Sequence, residues 1–196
     1  LLLKCWQLLK TDRQALQRYR QKFRHILVDE FQDTNLAQLE IVKLLCPPQM
    51  NLFVVGDDWQ NIYSWRGAEA GNIIAFEKIF PGAATIKLEQ NYRSTKTIVE
   101  KSNGLISHNK VRTDKALWTN NPEGEEIEII EAPDTDEEAS LIVKRVKSLI
   151  EGGGCRRADI SILYRTNAQS RPFEDECIKQ KIPYRVVGSL GFYDRR

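Results

Sequence analysis

Residues 26–34 read ILVDEFQDT. Three branched apolar residues, Ile26, Leu27 and Val28, run straight into Asp29 and Glu30, and a third acid follows at Asp33. A short apolar run without alternation predicts a strand buried on both faces of a parallel sheet. Packing gives no reason to end such a strand on two carboxylates. In open α/β sheets, ligands sit at the carboxyl ends of the strands. Asp29 and Glu30 therefore stand where an α/β protein places its chemistry.

Working outward, apolar positions at 36, 39, 41, 42, 44 and 45 predict a helix over 36–45. A second strand is expected at 52–55, ended by Gly56-Asp57, and a helix at 69–80, stopped by Pro81-Gly82. Further strands are expected at 84–88, 127–130, 160–164 and 184–187. Helices are expected at 1–9, 95–107, 136–150 and 170–180, with a loop at Gly152-Gly153-Gly154. Strand-helix alternation of this kind argues for an α/β fold of parallel sheets covered by helices on both faces. Three polar clusters fall at expected strand ends: Asp29-Glu30, Gly56-Asp57-Asp58 and Arg165-Thr166-Asn167.

The 196 residues, 41% of them apolar, suffice for one large domain or two small ones. A formal net charge of +2 does not by itself announce a nucleic-acid partner. The basic runs Arg18, Arg20, Lys22, Arg24 and Lys179, Lys181, Arg185 read as solvated faces. Cys5, Cys46, Cys155 and Cys177 lack metal-ligand spacing, and His25 and His108 stand far apart, which argues against zinc. Dispersed cysteines point to reduced thiols and a cytoplasmic protein. The apolar start, residues 1–9, is short, carries Lys4 and lacks a cleavage pattern, so it reads as a helix and neither a signal peptide nor a membrane span. The absence of an initial Met and the ending Phe-Tyr-Asp-Arg-Arg lead to the expectation of a piece of a longer chain.

Two acids after a buried parallel strand suit a nucleotide hydrolase: one carboxylate serves Mg2+ and the other orients or deprotonates the attacking water. The competing reading is that Asp29-Glu30 caps the helix beginning near Asn35. The string GDDWQNIYSWRGA, residues 56–68, places Gln60, Tyr63, Trp65 and Arg66 on one loop. Rings and an arginine on a loop suit single-stranded nucleic acid, whose bases stack without sequence preference; the alternative is that Tyr63 and Trp65 fill the core. In LEQNYRS, residues 88–94, Arg93 lies before a helix start that favours anions, and Tyr92 offers a ring for a base; the alternative is a surface arginine with a tyrosine packed at a helix start. In LYRTNAQSR, residues 163–171, Arg165 and Asn167 are placed to hydrogen-bond phosphates or sugars, or simply to cap a helix.

In this order, the four strings resemble the UvrD/PcrA/Rep family of superfamily 1 DNA helicases, over nearly the whole chain. LLLKCWQLL near the start, RGAEAGNIIAFE in the middle and IPYRVVGSLGFYDRR at the end carry it further. The resemblance implies a two-motor translocase that hydrolyses ATP between two RecA-like domains, moves 3′ to 5′ on single-stranded DNA and separates duplexes at single-strand/duplex junctions. It implies that Asp29 serves Mg2+, with Glu30 beside it as catalytic base, and that Gln60 senses the γ-phosphate. It implies that Tyr63, Trp65 and Arg66 link that sensor to DNA, that Tyr92 packs on adenine and Arg93 is an arginine finger, and that Arg165 and Asn167 contact DNA. The domains expected are residues 1–85, the back of the first motor, and 86–196, the front of the second. Repair or replication proteins, and the rest of the helicase chain, are the implied partners.

Two features depart from the family. Trp59 and Asn61 stand where GDDDQSIY is usual, and no GxxxxGK[ST] phosphate loop occurs in the sequence. In the family that loop precedes the region matching Leu1, so the expected object is a central slice, unable to turn over ATP alone. A non-hydrolysing helicase-like binding module is the alternative. A metal-dependent nuclease built on Asp29, Glu30, Asp57 and Asp58 is a third reading, which leaves Tyr92-Arg93 unexplained.

Overall fold

A computed structural model describes residues 1–47, 51–63, 65, 67–69 and 71–187. Its centre is a βαβ unit grown from ILVDEFQDT. Strand β1, His25–Val28, pairs in parallel with β2, Asn51–Val54, in the register Ile26↔Leu52 and Val28↔Val54. Helix α3, Leu36–Leu45, lies between them in the chain. It starts in a capping box: Asn35 Oδ1 accepts from Gln38 N at 3.0 Å, and Gln38 Oε1 accepts from Asn35 N at 2.9 Å. Asn35 is therefore the cap, and the reading of Asp29-Glu30 as a capping pair is overturned.

The residues fall into two compact units, Leu1–Ile127 and Glu128–Arg196. In the first, helix α1, Leu2–Thr11, packs on α3, and Leu9 of α1 and Leu39 of α3 are both buried. Asp12 ends α1 and caps α2, Arg13–Lys22, by accepting from Gln14 N and Ala15 N at 2.9 Å each. Arg20 corrects the solvated reading of its basic run. Its Nε donates to Leu44 O at 2.8 Å, satisfying a carbonyl in the last turn of α3. The expected helix 69–80 is two short ones, α4, Gly71–Ile74, and α5, Phe76–Ile79, parted at Ala75. Phe76 meets fully buried Phe31 edge-on at 5.4 Å. Helix α6, Lys96–Ile106, is tied to the following loop by Asn103 Nδ2 donating to Leu117 O at 2.7 Å.

In the second unit, helix α7, Thr135–Glu151, starts on Asp134, which accepts from Asp136 N and Glu137 N. Asp136, Glu137 and Glu138 fill its first turn, where negative charge suits the helix dipole. It packs on α8, Ser170–Lys179, around Ala139, Val143 and Cys177.

The sheet is smaller than the sequence predicts. The expected strands 84–88, 127–130, 160–164 and 184–187 form no ladder among the described residues; Gln90 and Trp118 make one isolated parallel bridge. Ile86, Leu88, Ile129, Leu163 and Val187 are exposed. Apolar periodicity reports which residues seek cover; it carries no information on whether a neighbouring strand is present to take the backbone hydrogen bonds. Cover on both faces is also not found: Leu27 is 74% and Phe53 61% exposed, side by side in the register. The coarser reading stands: an α/β chain with a parallel strand pair and helices.

Candidate functional site

Val55 N donates to Val28 O at 2.8 Å and Phe31 N to Val55 O at 3.0 Å, so the ladder continues past both strand ends. Between those bonds the chain kinks at Glu30, with φ 49° and ψ 45°. The left-handed region costs a residue with a Cβ on the order of 1–2 kcal/mol, and such strain collects at functional positions. Asp29 Oδ1 accepts from Glu30 N at 2.9 Å, and Glu30 O accepts from Asp33 N at 2.9 Å. The acids are thus fixed by the backbone they interrupt.

Asp29, Glu30 and Asp33 line a cavity of about 410 Å³, shared with Thr34 and Gln38 and walled by Leu2, Ile41 and Val42. Asp33 Oδ1 is buried without a hydrogen-bond partner. Burial, and then the Glu30 charge, push the Asp33 carboxyl above its usual range. Among the described residues, no group of three or more acid, His or Cys side chains is assembled to hold a metal alone. This donor set fits Mg2+, which takes one or two carboxylates and fills its remaining positions with water and phosphate oxygens.

The second cluster is wired to the first through Gln32, which is 1% exposed. Gln32 Nε2 donates to Glu30 Oε2 at 2.7 Å, and Gln32 Oε1 accepts from Asp57 N at 2.9 Å. Asn61 Nδ2 donates to Gln32 O at 2.6 Å. Gly56 makes room: a Cβ there would lie 2.6 Å from Gln32 Oε1 and 2.7 Å from Ile73 Cδ1. Asp57 then accepts from Gln60 Nε2 at 2.7 Å and from Trp59 N at 3.0 Å. Asp29, Glu30 and Gln60 therefore belong to one connected network.

Lys115 closes that network from a distant part of the chain. Its ammonium pairs with Asp57 Oδ1, and with Asp58 Oδ1 at 3.3 Å, and lies 4.6 Å from the centre of the Trp59 ring. Trp59 Nε1 donates to Thr113 O at 3.3 Å, and Asp58 Oδ2 accepts from Thr113 N at 2.6 Å. The unusual Trp59 is thus a platform for Lys115 and a clasp on residue 113. Asp57 and Asp58 are committed to Lys115 and Thr113, which counts against the nuclease reading. Burial pushes the Asp57 carboxyl up, but bonds from Lys115, Gln60 and Trp59 outweigh it and hold it below its usual range. Its contribution to stability is therefore present above the unfolded value, about 3.9, and lost as pH falls through the lower native one. Lys115→Ala is expected to destabilise the protein by about 2–3 kcal/mol, less than a fully buried pair would cost, because Asp57 is 25% exposed. It should also move acid unfolding to higher pH. Urea titration at pH 7 and acid unfolding followed from pH 5 down to pH 2 check this; equal stability of both proteins at pH 7 would count against it.

Tyr63 and Trp65 are not core residues: they are 37% and 63% exposed, with ring centres 6.5 Å apart and planes tilted by 47°. Arg66 lies outside the described residues. Tyr92 is 78% exposed, its hydroxyl donating to Gln90 Oε1 at 2.8 Å. Asn91 Oδ1 accepts from Arg93 N and Ser94 N, turning the chain into α6. Among the described residues, no hydrogen bond or ion pair joins Tyr92 or Arg93 to Asp29, Glu30 or Gln60. In the second unit, Asn167 opens a short 3-10 turn, 167–169, and its carbonyl accepts from Ser170 Oγ at 2.9 Å; Arg165 lies just before that turn and is exposed.

Two family models match the chain: the UvrD/REP helicase N-terminal domain over residues 1–81 and the UvrD-like helicase C-terminal domain over 86–196. The chain belongs to the UvrD/PcrA/Rep helicase family. Its relatives include ATP-dependent DNA helicase PcrA of Leuconostoc citreum, 47% identical over 182 residues, covering 93% of this chain and 24% of that protein. PcrA of Staphylococcus aureus is 49% identical over 183 residues, covering 93% of this chain and 25% of its own length, and PcrA of Staphylococcus epidermidis matches to the same extent. The chain thus spans about a quarter of the length of these curated relatives.

Within this UvrD-like chain, sequence reasoning passed over two residues of the network. Gln32 sits inside the opening string, and its position two residues after Glu30 was the available signal. Lys115 had none, since 57 residues separate it from Asp58 in the chain.

Proposed function

We propose that this chain is the central part of an ATP-dependent DNA helicase that moves 3′ to 5′ on single-stranded DNA and unwinds duplexes at single-strand/duplex junctions. Residues 1–85 belong to the first RecA-like motor and 86–196 to the second. The observation that carries this reading is the hydrogen-bonded path from Glu30 through Gln32 and Asp57 to Gln60. It ties the residue read as catalytic base to the residue read as phosphate sensor. Glu30 positions and deprotonates the attacking water, and Gln60 reads the γ-phosphate. Asp29, with Glu30 beside it, would hold Mg2+, which when bound neutralises phosphate charge. Tyr92 stacks on adenine and Arg93 neutralises charge arriving on the transferred phosphate. Tyr63, Trp65, Arg66, Arg165 and Asn167 contact single-stranded DNA.

Sensor and DNA rings share the loop 57–65. Motion of that loop on hydrolysis is therefore motion of the DNA platform, which is the coupling a translocase requires. The sequence holds no phosphate loop, so these residues alone are not expected to turn over ATP. The setting is cytoplasmic, in DNA repair or replication; among the described residues, no helix is long and apolar enough to cross a membrane. The test is ATP turnover by the full-length protein titrated with single-stranded DNA. Wild type should be stimulated, and Trp65→Ala should need more DNA for half-stimulation, by about 1–3 kcal/mol of lost stacking. Turnover indifferent to DNA would favour a helicase-like module with another role.

A further inference from the structure

We propose that Gln32 is a positioning residue that holds the Glu30 carboxylate and the Gln60-bearing turn as one unit; this rests on the reading of Glu30 as the catalytic base. The orientation of its amide is set by chemistry. Asp57 N–H can only donate, so it must meet Oε1, which leaves Nε2 for the Glu30 carboxylate, which accepts. Neither Glu nor a hydroxyl residue of this reach supplies a donor on one side and an acceptor on the other in the same way. The side chain is 1% exposed, so each of its polar atoms must be satisfied internally or costs free energy.

Its surroundings leave it one place to be. Asn61 holds its main-chain oxygen at 2.6 Å, and only a glycine at 56 leaves space for Oε1. Asp57, which Gln32 grips through the backbone, grips Gln60 through its carboxylate at 2.7 Å. A displacement of Gln60 toward a phosphate therefore pulls on Asp57, and Asp57 on the amide that holds the base. A change at the sensor reaches Glu30 through two side chains, without either residue touching the other.

The experiment uses the full-length protein with saturating single-stranded DNA. Gln32→Leu keeps the volume and removes both bonds; Gln32→Glu keeps an acceptor for Asp57 N–H and removes the donor to Glu30. Each is expected to lower kcat by about 10- to 100-fold, the scale of a misplaced reacting group, with KM for ATP within about threefold. Combining Q32L with Q60A should be little slower than the slower single variant, because both act through one unit. Val143→Ala, a core truncation in the second unit and outside the network, should lower the melting temperature with a kcat loss under about threefold. If Q32L does not fold, Q32E carries the same readout. The proposal is overturned if folded Q32L or Q32E turns over within about twofold of wild type, if KM carries the whole effect, or if the Q32L and Q60A losses multiply. Glu30→Gln in parallel separates the two claims. Retained turnover there would remove the base assignment and this inference with it, whereas a dead E30Q beside active Gln32 variants would remove this inference alone.

Discussion

Glu30→Gln in the full-length protein is expected to lower ATP turnover by about 10²–10⁴-fold, the range a positioned general base supplies, while nucleotide binding is kept. The substitution changes little besides the proton acceptor. Gln fits the same volume and adopts the left-handed backbone at φ 49° no worse than Glu does. One consequence is local: Gln32 Nε2, which donates to Glu30 Oε2 at 2.7 Å, still finds an amide oxygen if the new side chain turns it that way. The variant should therefore fold, melt close to wild type and bind ATP. Single-turnover rates beside equilibrium binding of a fluorescent ATP analogue check this. Turnover within tenfold of wild type would take the base role away from Glu30. Lost binding would mean that the carboxylate holds the nucleotide complex together and does not act on water.

How much of this was legible in the sequence depends on how local the cause is. Helix α3 was expected at 36–45 and is found at Leu36–Leu45, because its apolar stripe and its Asn35–Gln38 capping box are set within a dozen residues. The left-handed turn at Glu30 was not legible, since nothing in Asp29-Glu30-Phe31 requires it until Phe31 N must reach Val55 O. The outer strands failed for a related reason. A parallel ladder is a property of two segments, and residues 84–88 or 160–164 show only the apolar half of it. Exposed Tyr63 and Trp65 went against the usual fate of paired aromatics, while buried Gln32 went against the usual fate of an amide. Trp59 stood out as unusual, yet the two partners of its ring, Thr113 and Lys115, lie more than fifty residues on and leave no local trace.

Arg93→Ala is the second large effect. Turnover should fall by about 10³–10⁵-fold, the scale on which an arginine finger acts, with single-stranded DNA binding close to wild type. The structure gives the reason for separating it from Glu30. Glu30 is wired to Gln60 within the region matched by the N-terminal family model, 1–81, whereas Arg93 lies in the region matched by the C-terminal one, 86–196. It is anchored by its backbone, through Asn91 Oδ1, at the entry to α6, and its exposed guanidinium has no bond to the acids among the described residues. Read as an arginine finger, it acts only once nucleotide is bound, so the variant should bind ATP with near-normal affinity and fail at the chemical step. Arg93→Lys distinguishes charge from geometry: a lysine keeps the charge but not the planar two-pronged donor, and should recover only a small part of the loss. Full recovery by R93K would make Arg93 a simple counter-charge, and a loss under about tenfold in R93A would leave it a surface residue at a helix start.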